Sequence, residues 1–368
     1  MDRLIVVDSE HPDCRQDRCF EPAMEHMGFG AGLYAGLARE ARRRGIEVAT
    51  ADVFRAMAHA PRRVACLTTE YTAETQTLLA AGARPAICHS LESPLIAYKF
   101  FHFMPRYAGR FQHNFQFRGT RQRLAGTGTT FHPLYYPADT RARLPLRPWA
   151  QRDPLVMIIS NVWARRTWPA SLSDLRTRLK VAARFQWWRL LDPGLRSPRL
   201  SQARLAAIEY FAHSDGFRLY GHRWDQPTAG LSAAVQQAVR RAYAGALAPG
   251  APPKRAVLNG HRFAICFENC VFPGYVTEKI FDCFLAGCVP VYWGAPDITD
   301  FVPEQTFIDF RRFGSFAELD RYLHDLPNAE AQRYLDAAGD FLASSEFDRF
   351  DQQRLALEMV DILEAALN

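Results

Sequence analysis

Apolar residues in this chain fall into short runs that alternate with segments of helical period. Leu4-Ile-Val-Val7 is a continuous apolar run of strand length. Gly45-Ile-Glu-Val-Ala-Thr50, Pro85-Ala-Ile-Cys-His-Ser90, Leu155-Val-Met-Ile-Ile159, Phe217-Arg-Leu-Tyr220, Phe263-Ala-Ile-Cys-Phe267 and Val289-Pro-Val-Tyr-Trp293 read the same way. Runs that are apolar throughout predict strands covered on both faces, as in parallel sheets. Helical patterns lie between them, at Leu33 to Arg42, at Leu205 to Phe211, and from Thr277-Glu278 through Ile280, Phe281, Phe284 and Leu285 to a stop at Gly287. Such strand–loop–helix–strand units build parallel sheets with crossover connections. The Pro/Arg-rich stretch 137–154 breaks the pattern as a linker. It separates an α/β domain at 1–150 from a second at 151–345. Leu355, Met359, Ile362, Leu363 and Leu367 mark a closing amphipathic helix within 346–368.

A chain of 368 residues suffices for two cores. None of its apolar runs approaches the roughly 20 residues needed to cross a bilayer. Met1-Asp-Arg3 leads straight into the first strand, too short for a signal peptide, so a cytoplasmic protein is expected. Of eight cysteines, Cys66, Cys88, Cys266, Cys283 and Cys288 sit in apolar contexts, where a thiol behaves as a small hydrophobe. Cys14 and Cys19 are the one close polar pair and have no second pair at metal spacing, so reduced thiols and no structural zinc are expected. The net charge of +6 suits an anionic ligand or an anionic membrane surface.

Parallel α/β sheets bind ligands at the carboxyl ends of their strands, near helix N-termini. Here that edge carries Glu268, Asn269, Tyr275, Thr277, Glu278 and Lys279. Lys279 beside a helix start favours phosphate, and Glu278 can accept hydrogen bonds from sugar or ribose hydroxyls. A plain sheet edge with an exposed Glu-Lys pair is the alternative. In the first domain, Glu92 stands in a Glu-Ser-Pro turn after the strand ending at Ser90, placed either as a base or as a turn carboxylate. Gly28-Phe-Gly-Ala-Gly32 lies about twenty residues beyond the first strand, which fits close helix-to-sheet packing better than a dinucleotide fingerprint. Aromatics mixed with His102, Arg106, Arg110, His113, Arg118 and Arg121 over 98–136 read as lining for an acceptor glycan. The stretch 162–203 is basic and carries Trp163, Trp168, Trp187 and Trp188. Its period over 171–191 suggests an amphipathic helix, either packed on the domain or lying on an anionic membrane.

Phe267-Glu-Asn269, Gly274-Tyr-Val-Thr-Glu-Lys279 and Val289-Pro-Val-Tyr-Trp-Gly-Ala-Pro296, continuing into Phe307-Ile-Asp-Phe310, resemble the donor-site signature of the α1,3/4-fucosyltransferases. The resemblance covers much of the C-terminal half. It implies an inverting, GDP-fucose-dependent glycosyltransferase of GT-B fold, with two Rossmann-like domains facing a central cleft and a last helix crossing back onto the first domain. It makes Glu92 the general base and Arg204 and Lys279 the cations that receive the departing diphosphate, with Arg165 and Arg166 as rivals to Arg204. Ser160, Asn161, Tyr220, Gly221, Glu268, Asn269, Tyr275, Val276, Thr277, Glu278 and Lys279 become donor-site residues. His222, Arg223 and Trp224 are further candidates to face the nucleotide. Glu278 and Tyr275 would position ribose or the sugar by hydrogen bonds and stacking. The resemblance implies no cofactor beyond the GDP-sugar and at most a non-essential divalent metal. The acceptor would be an oligosaccharide or glycolipid; peripheral contact at the inner membrane is the expectation that the basic, Trp-rich residues of 162–203 add if their helix lies on lipid and is not packed on the domain. Region 162–203 departs from the family pattern, and the heptad tail of some bacterial relatives is missing. Two alternatives stand beside this reading. One is transfer from another GDP-sugar. The other is a nucleic-acid-binding protein using the basic Trp/Arg stretch, against which the even spread of acidic residues argues.

Overall fold

The computed structural model describes residues 2–9, 11–27, 31–57, 62–140, 144–161, 199–226, 230–248 and 250–368, with ten further positions between 176 and 198. The chain divides into two compact units. One comprises Met1–Ala142, Phe272–Glu278 and Ser344–Asn368, and the other Arg143–Val271 and Lys279–Ala343.

The first unit is a sheet of six parallel strands, β1 (Arg3–Asp8), β2 (Glu47–Thr50), β3 (Arg63–Thr69), β4 (Arg84–His89), β5 (His113–Gln116) and β6 (Thr130–Pro133). Their order is β2-β1-β3-β4-β5-β6. Its helices are α1 (Ala31–Arg43), α2 (Ala51–Ala56), α3 (Ala73–Ala80) and α4 (Tyr98–Tyr107). Leu4, Ile5, Val6 and Val7 are all fully buried, because both faces of this central strand are covered.

The second unit has the parallel order β12-β11-β10-β7-β8-β9. Its strands are β7 (Asp153–Ile158), β8 (Phe217–Tyr220), β9 (Tyr243–Gly245), β10 (His261–Phe267), β11 (Val289–Trp293) and β12 (Ile308–Asp309). Its helices are α5 (Ser201–Phe211), α6 (Ala233–Ala242), α7 (Ala251–Asn259), α8 (Glu278–Leu285), α9 (Phe316–Asp325) and α10 (Asn328–Ala343), the first residue of α8 clustering with the other unit. One core runs through this unit, from Leu155 and Met157 through Ile208 and Phe211 to Phe263, Ile265 and Val291.

The chain's last helix, α11 (Gln352–Leu367), belongs to the first unit and packs on α1, β3 and β4. Asp351 caps it by accepting from the Gln353 N–H at 3.1 Å. Arg44, just past α1, pairs with Asp361 at 2.6 Å and Glu364 at 3.0 Å. The close approach uses two glycines of α1. A Cβ on Gly32 would come 2.5 Å from Gln352 Oε1, and one on Gly36 would come 2.9 Å from Gln353 Oε1. Tight packing is thus the use of Gly32, but against a helix rather than the sheet. Gly28 and Gly30 lie outside the described residues.

The structure differs from the sequence reading in other ways. The linker boundary at 150 falls at Ala142, and residues 272–278 group with the first unit instead of the 151–345 domain. Strands β3, β5, β6, β9 and β12 were not anticipated. Most aromatics of 98–136 form core: Phe100, Phe101, Tyr107, Phe111, Phe115 and Phe117 are buried. The pair Cys14 and Cys19 is also buried. The two thiols act on each other, with Cys14 and burial holding the Cys19 pKa up and Cys19 drawing that of Cys14 down. Among the described residues, no helix is long and apolar enough to cross a membrane. None of their His, Cys, Asp and Glu side chains form a group of three disposed to hold a metal ion.

Candidate active site

In the second unit the strand order reverses between β7 and β10, so their carboxyl ends diverge into a crevice of the kind that binds ligands in open α/β sheets. Those ends carry Ser160-Asn161 and Glu268-Asn269. Glu268 is fully buried, and its N–H donates to the Trp293 carbonyl at 2.8 Å. Its carboxylate receives the Lys279 ammonium at 3.1 Å. A buried carboxylate needs such a partner, because desolvation alone would make its charge costly. Lys279 sits in the first turn of α8, a position that suits an anion. That helix is tied down by buried Asp282, which accepts from Lys254 Nζ at 2.8 Å and Arg255 Nε at 2.9 Å.

Gly294 explains part of the Trp-Gly-Ala-Pro motif. A Cβ there would overlap the Tyr292 hydroxyl and Glu268 Cγ, so the chain leaves β11 past the carboxylate only as glycine. Burial, reinforced by the nearby Glu268 charge, pushes the Tyr292 phenol well up. Arg204 joins the same spot. It is buried, and its Nη2 donates to the Phe267 carbonyl, one residue before Glu268, at 2.5 Å. The structure therefore gathers Arg204, Glu268 and Lys279 at the end of β10. Arg204 is the fourth residue of α5, which starts four residues before the pattern read from Leu205. The Asn269 carbonyl accepts from the Leu200 N–H at 3.2 Å, holding the start of that helix.

On the other side of that reversal, the ends of β7 and β8 are locked together. Asn161 is fully buried, donating its N–H to the His222 carbonyl and its Nδ2 to the Arg223 carbonyl, each at 2.9 Å. Gly221 has φ +137°, and a Cβ on it would collide with the Ile159 carbonyl. Trp224 does not face outward as expected. It is buried in the core, and its indole N–H donates to Ile159 O at 2.8 Å. Asn161 and Gly221 thus shape this edge, while Ser160 and His222 are exposed on it and Tyr220 is half-buried. Arg165 and Arg166 lie outside the described residues.

In the first unit, Glu92 is exposed just past β4. Its N–H donates to Ser90 Oγ at 3.2 Å, closing a serine turn. His89, at the end of the same strand, is buried, with Nε2 3.0 Å from the Tyr34 hydroxyl, and burial lowers its pKa to about 4. The loop 272–278 also lies here. The Gly119 N–H donates to Pro273 O at 3.0 Å, and Tyr275 packs edge-on against Phe117 at 5.0 Å. Tyr275, Val276 and Thr277 are buried and Glu278 is half-buried. Tyr275 is therefore packed within this loop.

The reading of the sequence missed Glu70. It follows β3, a strand that was not anticipated, and no motif marks it.

Of the region read as a basic amphipathic helix, Trp163, Trp168 and Trp188 lie outside the described residues. The described positions Arg176, Leu179, Lys180, Ala183, Gln186, Trp187 and Leu190 are helical and exposed. Leu179, Trp187 and Leu190 are 60%, 61% and 63% exposed, and their spacing puts them on one face.

Comparison with known proteins gives three findings. Residues 249–337 match the model of the glycosyltransferase family 10 (fucosyltransferase) C-terminal domain, a segment that contains Glu268, Asn269 and Lys279. The α-(1,3)-fucosyltransferase FucT of Helicobacter pylori is 40% identical over 87 residues, 23% of this chain. The match spans 17% of that relative's length. Among solved structures, an α1,3-fucosyltransferase with GDP aligns over 99% of this chain and 90% of its own, with TM-score 0.50 and 14% identity. Alr3699/HepE of Anabaena, in complex with UDP and glucose, aligns over 99% and 100% with TM-score 0.57 and 12% identity. At such identities these two likenesses speak to the fold, which is that of the GT-B glycosyltransferases.

Proposed function

We propose that the chain, whose residues 249–337 match the glycosyltransferase family 10 (fucosyltransferase) C-terminal model, transfers L-fucose from GDP-fucose to a hydroxyl of an acceptor glycan, with inversion at the anomeric carbon and an α1,3-type linkage. The observation that carries this reading is the gathering of two cations at the end of β10: Lys279, paired with buried Glu268, and Arg204, bonded to the Phe267 carbonyl. Transfer breaks the bond between the sugar and the β-phosphate, and the electron pair stays on the departing diphosphate. Arg204 and Lys279 offset that charge, and partial burial strengthens their effect. Lys279 carries three N–H donors, so bonding Glu268 is compatible with reaching a phosphate oxygen. Glu92 takes the proton of the acceptor hydroxyl as its oxygen bonds to the sugar carbon. Ser160, Tyr220, Asn269, Val276, Thr277 and Glu278 stand as donor-site positions of this proposal.

The acceptor belongs to polysaccharide or glycolipid biosynthesis in this reading, and the enzyme works in the cytoplasm at the inner face of a membrane. The exposed helical face of Leu179, Trp187 and Leu190, with Arg176 and Lys180 beside it, supports contact with anionic lipid. No metal takes part in the proposed step.

The test is a glycan array probed with GDP-fucose, GDP-mannose and UDP-glucose, with product linkage and configuration read by NMR. GDP-fucose is expected to be the donor, and the Glu92→Gln enzyme is expected to lose at least a hundredfold in turnover. Transfer from UDP-glucose alone, or near-parent turnover by Glu92→Gln, overturns the assignment.

A further inference from the structure

In the first sheet the strand order reverses between β1 and β3, the position at which open α/β sheets bind ligands, and the end of β3 lies beside it. The residue at that end is Glu70. Its backbone sits at φ +70°, in the left-handed region that non-glycine residues avoid and that structures tolerate chiefly where function demands it. The surroundings hold it there. The Glu70 N–H donates to the His89 carbonyl at 2.8 Å, and its own carbonyl receives the Cys88 thiol at 3.7 Å. Its carboxylate accepts the hydroxyl of fully buried Ser90 at 3.2 Å. The same Ser90 oxygen accepts the Glu92 N–H.

We propose that Glu70 is a positioning residue for Glu92, acting through Ser90. This rests on the reading of Glu92 as the base. Ser90 has one O–H donor and lone pairs to accept with. Glu70 fixes where that donor points, and so turns a lone pair toward the Glu92 N–H. The turn that carries Glu92 out of β4 then has one conformation instead of several, and its carboxylate is presented to the acceptor without a search. In this left-handed conformation the Glu70 side chain reaches Ser90 while its N–H completes the link to His89.

Strain and aim separate in a substitution. Glu70→Gly removes the side chain at a backbone conformation that glycine adopts without cost. We expect it to melt at or above the temperature of the parent, yet to lose at least tenfold in kcat on the glycan that the parent fucosylates best, with KM for GDP-fucose unchanged. Ser90→Ala should show the same fall in kcat, and Ser90→Thr, which restores the hydroxyl, should recover most of it. The inference is overturned if Glu70→Gly turns over within twofold of the parent, if its loss comes with a lower melting temperature, or if Ser90→Thr is as slow as Ser90→Ala. Glu92→Gln run alongside tells the two readings apart. An inactive Glu92→Gln with an active Glu70→Gly removes only the role of Glu70, whereas an active Glu92→Gln removes the base and this inference with it.

Discussion

Substituting Lys279 tests the centre of the proposed donor site, and the structure sets the size of the effect. Its ammonium lies 3.1 Å from a carboxylate whose side chain is 0% exposed, while the lysine side chain is 23% exposed. Removing one member of a buried ion pair leaves the other charge uncompensated, which costs about 3–5 kcal/mol. Partial solvation of Lys279 points to the lower end, about 3 kcal/mol, for Lys279→Ala. For a unit of this size such a loss lowers the melting temperature by roughly 6–12 °C. The informative partner is the double variant Glu268→Gln/Lys279→Met, which removes both charges and keeps the volumes. It should recover most of the lost stability and still bind GDP at least tenfold more weakly than the parent. Thermal denaturation and GDP calorimetry on the three proteins make the comparison. If Lys279→Ala melts with the parent, the pair does not secure Glu268. If the double variant keeps parent affinity for GDP, Lys279 does not receive the diphosphate.

Three other outcomes are expected. His89 is held near a pKa of about 4, against 6.5 when unfolded, so the unfolded chain binds the proton first. Its contribution is fully present above pH 6.5 and is lost as pH falls through 4, by about 3 kcal/mol in total. Denaturation at a series of pH values should show that slope, and His89→Gln should flatten it. Gly221→Ala forces a side chain into the Ile159 carbonyl at a backbone angle that favours glycine, so it should sharply lower the melting temperature, and a parent-like melt would contradict the packing of β7 on β8. Trp187→Glu should abolish flotation with vesicles containing phosphatidylglycerol while leaving transfer to a soluble glycan unchanged. Retained flotation would remove the lipid-facing assignment.

The two α/β halves were legible because strand and helix identity follow local periodicity. Leu4–Val7, Phe217–Tyr220 and Val289–Trp293 are strands where their apolar runs predict them. The helix after Thr277 begins at Glu278. The donor-type motif was legible as a motif, since Glu268, Lys279 and Gly294 lie in one contiguous stretch within the segment that matches the family model. What stayed hidden is non-local. Strand order decides that β7 neighbours β10 and β1 neighbours β3, and no residue within a strand records which strand will lie beside it. From that order come the sheet edges where Glu268 and Glu70 stand, the approach of Arg204 to the end of β10, and the serine linking Glu70 to Glu92 across β3 and β4. Aromatics of 98–136 were misjudged for the same reason: a ring that fills a core and a ring that meets a sugar look alike until the neighbouring elements are in place. Sequence by itself determined the elements and the chemical groups at their ends. Tertiary structure alone decided which groups meet, because burial and pairing depend on segments tens to hundreds of residues apart.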